Sequence, residues 1–166
     1  MIERASKALA EGRLFDEFVP VPAQLKEATA SFGDEYKEQN DKNIAETGYA
    51  SWYDFCVSEW GSKWDCEPYA NEITEDGLVL ECSFDTAWSP PIAFYEKMQE
   101  LGFEIQAYYY EPGMGFVGKW ENGFDESYDY SSEDSNTVRD LIGDELDDMF
   151  GISESMADWE AENEEE

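Results

Sequence analysis

The chain contains no histidine. That removes the side chain most often used as a general base near neutral pH and the commonest metal ligand. Cysteine is scarce too, with only Cys56, Cys66 and Cys82. An odd number without C-x-x-C spacing does not make a secreted disulfide framework, and without histidine it argues against a zinc site. Basic residues are few: 7 Lys and 3 Arg face 41 Asp and Glu, for a formal charge of -31. Nucleic acids are polyanions whose binders need a cationic face to neutralise phosphates, so direct nucleic-acid binding is not expected. Anionic membrane surfaces repel such a chain for the same reason. No apolar run reaches the roughly 18 residues of a membrane-spanning helix, and Met1-Ile2-Glu3-Arg4-Ala5 lacks the apolar core of a secretion signal. The simplest location is a reducing cytoplasm, and the expected partners are cationic.

The remaining composition speaks for a folded protein. Of 166 residues, 42% are hydrophobic and 16% aromatic. Acidic disordered chains are poor in aromatics, whereas each packed aromatic buries about 150–250 Å². A length of 166 residues suits one domain with a tail. The expected organisation is a single α+β domain over 1–150 and an acidic tail over 151–166. Within the domain, 31–48 forms an exposed helical insert and 121–150 an acidic extension. Charge marks that extension: residues 121–166 hold 18 acids and one base, Arg139, and carry more than half of the net charge.

Periodicity predicts helices over 2–11, 50–60, 91–101 and 136–150. Strands are expected at 14–19, 64–73, 78–84, 103–110, 116–120 and 124–130. Pro91 suits a first helical turn, and Gly102 a helix stop. Pro112-Gly113-Met114-Gly115 reads as a hairpin turn; it lacks the spacing and the following Lys-Ser/Thr of a phosphate loop. Helices interspersed with mostly antiparallel strands predict an α+β sandwich with helices packed on one face of the sheet.

Four blocks carry a family resemblance. FDEFVPVP (15–22), SWYDFCVSEWGSKWDC (51–66), FDTAWSPP (84–91) and EPGMGFVGKW (111–120) resemble, in the same order, the YubB/Api-type ferredoxin-like domain of phages and conjugative plasmids. The resemblance covers most of 14–120. It implies a ferredoxin-like α+β fold and a mobile-element origin, and it brings no biochemical activity or functional residues with it. Members of that family open with a strand around an Asn-Trp-Cys motif, which is absent here. The acidic extension from Glu121 goes beyond the family pattern.

Among candidate sites, the acids of the C-terminal region stand out. Asp140, Asp144, Asp147 and Asp148 recur at near-helical spacing opposite an apolar stripe, with Asp125, Glu126 and Asp129 just upstream. Carboxylates at i,i+4 lie about 6 Å apart along a helix, whereas duplex DNA carries one charge per roughly 1.7 Å. One helix face is therefore too sparse to imitate DNA, and several acidic elements must combine. A solvated acidic face that serves solubility, or a salt-adapted surface, is the plainer account of the same residues. The 7 lysines weigh against salt adaptation, which sheds lysine.

Other groupings read as structure. Trp52, Tyr53, Phe55, Trp60 and Trp64 fit a core stripe better than a ligand platform. Tyr108-Tyr109-Tyr110 straddle both faces of a strand, so one of them is expected to be exposed or to cover the sheet. The acids of 125–134 lack the register of a calcium loop. No Ser or Cys has a histidine partner, and carboxylate pairs are everywhere, so none is singled out for catalysis. The expected function is therefore non-enzymatic and without cofactor or metal. The chain would be a cytoplasmic phage or plasmid protein that inhibits a nucleic-acid-binding host defence protein by DNA mimicry. Asp125, Glu126, Asp129, Asp140, Asp144, Asp147 and Asp148 would be its contact residues. The alternative is an immunity protein or antitoxin for one cationic nuclease-type partner.

Overall fold

A computed structural model describes residues 1–27 and 34–164. The first part of the expected insert, 31–33, lies outside the described residues. The fold is mixed α+β with two antiparallel sheets, one of two strands and one of three. The chain divides into two compact units, Met1–Phe103 and Glu104–Glu166. The boundary precedes the composition shift at Trp120-Glu121.

The first unit contains helices α1 (Ile2–Ala10), α2 (Leu14–Phe18), α3 (Lys37–Thr47), α4 (Trp52–Glu59) and α5 (Ile92–Glu100), and the hairpin β1 (Glu67–Ile73) and β2 (Leu80–Asp85). Its core is aromatic. Phe15 is fully buried and packs 4.5 Å from Phe94 and 5.7 Å from Trp60, measured between ring centroids. Trp60 closes the α4 end by donating its indole N–H to the Val19 carbonyl at 2.9 Å. Ser51 caps α4, accepting from the Asp54 N–H.

The strand expected over 14–19 is a helix. Its first-turn N–H groups on Phe15 and Asp16 donate to the Asp65 carboxylate at 2.9 and 2.8 Å. A carboxylate 50 residues along the chain thus caps the helix, satisfying donors that a helix start otherwise leaves open. Burial pushes the Asp65 carboxyl above the usual range, against those backbone hydrogen bonds. The β1–β2 hairpin packs on α1, where Ser6 and Asn71 exchange hydrogen bonds at 2.7 Å.

The second unit contains β3 (Gln106–Glu111), β4 (Phe116–Glu121), β5 (Phe124–Asp129), α6 (Val138–Phe150) and α7 (Ile152–Glu164). The three strands form an antiparallel meander. β4 and β5 are joined by Asn122-Gly123 with φ of 48° and 93°, the doubly left-handed geometry of a tight I′ hairpin turn. Strand alternation gives the sheet two faces. Tyr110, Val117 and Tyr128 stand in register on one face, which packs on Ile142, Leu146 and Ile152 of the helices. Tyr109, Gly118 and Ser127 stand in register on the other. Tyr109 lies across Gly118, where a Cβ would collide with its ring and approach the Glu126 carbonyl to 2.5 Å.

Two differences from the sequence expectation concern the C-terminal region. The acidic tail is helical over 152–164, because Gly151 turns the chain at φ 63° and Ile152 and Met156, one helical turn apart, pack into the core. The helix over 138–150 is not continuous. Gly143 has φ 82° and ψ 162°, a conformation open essentially to glycine alone. It breaks the helix into two segments, and with it the single acidic face expected of Asp140, Asp144 and Asp148.

Candidate functional site

The second unit holds 20 acids and two bases, Lys119 and Arg139. Both bases are committed within the unit. Lys119 pairs with Glu145 at 3.2 Å and with Glu121 at 3.5 Å. The Arg139 guanidinium forks onto three aspartates: Asp144 at 2.7 Å, Asp147 at 2.8 Å and Asp148 at 2.9 Å. No cation of this unit is left to offset the exposed carboxylates beyond these pairs.

The seven acids expected to contact a partner do not form one set. Asp147 is buried, with 2% of its surface exposed. It accepts from the Ser153 N–H at 2.7 Å and the Ser153 hydroxyl at 2.6 Å, besides Arg139. Burial alone would raise its pKa, but the Ser153 hydrogen bonds and Arg139 outweigh it and hold the carboxyl below its ordinary value. Asp147 therefore joins α6 to the start of α7 and is withdrawn from the contact surface. The other six are exposed.

Asp140, Asp144 and Asp148 lie on α6, and the three acids of β5 divide by sheet face. Glu126 pairs in register with Lys119, on the helix-packed face, whereas Asp125 and Asp129 pair with Trp120 and Phe116 on the opposite face. Asp125 accepts from the Tyr109 hydroxyl at 2.6 Å; burial and this hydrogen bond push the Tyr109 phenol up to about 12. Asp129 accepts from the Ser131 hydroxyl and N–H, which lower its pKa. Glu126, Asp140 and Asp144 come together with Glu145 around a shallow recess of about 270 Å³ at the Gly143 break, with Lys119 among its walls. Glu145 is held ionised there by the Tyr108 hydroxyl at 2.5 Å and by Lys119.

Sequence reasoning missed the acids of 152–164. Glu154, Asp158 and Glu162 are exposed on α7, beside Trp159, which is 65% exposed. The signal for them is the spacing of Ile152 and Met156, which gives the segment an inner side. Of Tyr108-Tyr110 none is exposed, but Tyr109 covers one face of the sheet where it lies across Gly118, and its two neighbours are half-buried. The expected aromatic core stripe holds for Phe55 and Trp60, but Trp64 is 53% exposed.

Among the described residues, no cluster of three or more Cys, Asp or Glu side chains is arranged to hold a metal ion. Nor is any described helix long and apolar enough to cross a membrane. Cys56 and Cys66 are buried, and burial pushes both thiols up to about 12, far from the range of a reactive thiolate. The architecture places the chain in the mixed α+β class with antiparallel sheets. No protein-family model, curated protein or solved structure matches it.

Proposed function

We propose that the chain acts by binding, presenting the carboxylates of its second unit to the basic, nucleic-acid-binding surface of a host defence protein. The observation that carries this reading is the charge of that unit: 20 acids against two bases, with both bases already ion-paired. Carboxylates would occupy arginine and lysine sites meant for phosphates, and long-range attraction would steer the encounter. Asp125, Glu126, Asp129, Asp140, Asp144 and Asp148 are the proposed contacts, joined by Glu154, Asp158 and Glu162 of α7. A mobile-element origin, a cytoplasmic site of action and a ferredoxin-like relationship belong to the same proposal; their support is the four motif blocks in family order.

The test is capture of partners from host lysate at low salt, followed by elution with duplex DNA. Release of a nucleic-acid-binding protein by DNA is the expected result. A partner that resists both DNA and high salt overturns the mimicry reading. It would favour a dedicated immunity-type complex, for which the specific observation is exposed Trp159 on the same helix as Asp158 and Glu162, an aromatic anchor among acids.

A further inference from the structure

The first unit carries an exposed aromatic cluster that the acidic surface does not explain. The Lys63 ammonium lies 4.0 Å from the ring centroid of Trp64, 5.1 Å from that of Trp88 and 6.0 Å from that of Tyr53. Trp52 stacks behind Trp64 at 6.0 Å and 21°. Trp64 and Trp88 are 53% and 65% exposed. Three rings converging on one ammonium have the form of an aromatic cage, in which the negative ring faces attract a cation.

Two features mark the cage as built. Trp88 has φ 69°, a left-handed backbone that a large side chain adopts only where its surroundings enforce it. The enforcement is visible. The buried Ser62 hydroxyl donates to the Trp64 carbonyl at 2.9 Å and accepts from the Ala87 N–H at 3.2 Å. It thereby ties the backbones of both walls together. The Ser89 hydroxyl donates to the Gly61 carbonyl at 2.8 Å and locks the far side of the same turn. The second feature is the choice made by Lys63. In a chain with 41 acids, its ammonium faces rings, with no carboxylate within 4.0 Å among the described residues.

We propose that this cage receives one lysine or arginine side chain of a cationic protein partner, and that Lys63 is its resident surrogate. The occupant follows from charge and shape: the unit carries 21 acids against eight bases, and the rings already hold a cation. Lys63 is only half-buried, so its flexible stem can return the ammonium to water when another arrives. The rings then keep one cation in either state, and no charge is left buried. The proposal rests on the reading of a basic partner but uses a different unit and different residues.

The test follows the indole N–H signals of Trp64 and Trp88 by NMR in the full chain at physiological salt. The probe is N-acetyl-lysine methylamide, with the norleucine analogue as its uncharged control. The lysine probe is expected to shift both signals and the control neither. Lys63→Ala should tighten the lysine probe about fivefold, since a site self-occupied most of the time loses affinity by its free fraction. Trp88→Gly, which suits the positive φ and so preserves the turn, should abolish the shift at Trp64. Unmoved signals in both the wild type and Lys63→Ala, or equal shifts from the control, would overturn the cage. Probe binding in a protein that captures no DNA-displaceable partner would keep the cage and reject only the mimicry reading.

Discussion

The two units differ in how they use polar and aromatic side chains. Met1–Phe103 has eight bases among its 21 acids, while Glu104–Glu166 has two among 20 in a much shorter stretch. The first unit buries an aromatic core around Phe15, Trp60 and Phe94 and leaves Trp64 and Trp88 in the open. The second draws its tyrosines inward and leaves carboxylates outside. It tolerates that crowding because its acids are held locally: Asp147 by Ser153 and Arg139, Glu145 by Tyr108 and Lys119, Asp129 by Ser131. Net charge alone therefore does not define an interaction surface. What matters is which carboxylates remain exposed after internal partners are satisfied, and Asp147 shows that an acid in an acidic run can be structural.

The largest disruption should come from the sheet of the second unit. Gly118→Ala places a methyl against the Tyr109 ring and the Glu126 carbonyl. The loss should be about 3 kcal/mol, the upper part of the overpacking range, read by chemical denaturation. Asp147→Ala is next, at about 2 kcal/mol, because it leaves the Ser153 groups without their acceptor. Its pH signature has a definite sign. The folded carboxyl titrates below its ordinary value, so its contribution is complete above the unfolded value of about 3.9 and is lost as pH falls through the lower folded value. Asp147→Asn should flatten that part of the acid-unfolding curve.

A third change separates binding from folding. Asp140→Asn, Asp144→Asn and Asp148→Asn together neutralise three exposed carboxylates without setting a second cation beside Arg139. Partner affinity should fall about tenfold or more, while the thermal midpoint stays within about 2 °C, since exposed pairs such as Arg139–Asp144 add little. Unchanged affinity would remove α6 from the contact surface. The smallest effect sharpens the description of the first unit. In the folded protein Cys82, exposed on β2, should react with a thiol reagent more slowly than a free thiol, because burial raises its pKa, while Cys56 and Cys66 react only after unfolding.

Local signals explain where the sequence reading meets the structure. Alternation over β3, the Pro112–Gly115 turn and the Pro91-to-Gly102 frame of α5 are encoded by neighbours, and those elements fall where expected. The helix over 14–18 was not legible, because its cap is Asp65, remote in sequence. The break at Gly143 was hidden because a glycine inside an apolar-periodic segment is compatible with a straight helix. Helix α7 was obscured by Gly151 and the density of glutamates, although Ile152 and Met156 already define its inner side. Of the candidate site, the acidity was legible. The burial of Asp147 and the split of β5 acids between two sheet faces depend on tertiary packing and strand register. The exposure of Trp64 depends on a turn that Ser62 pins to the backbone at Ala87.

The most direct measurement is the salt dependence of the captured partner's affinity for the full chain, taken beside its affinity for duplex DNA. Binding of the two is expected to be mutually exclusive, and affinity for the chain to fall steeply with salt, as carboxylates are screened from arginine and lysine. Simultaneous binding of chain and DNA, with an affinity indifferent to salt, would contradict it.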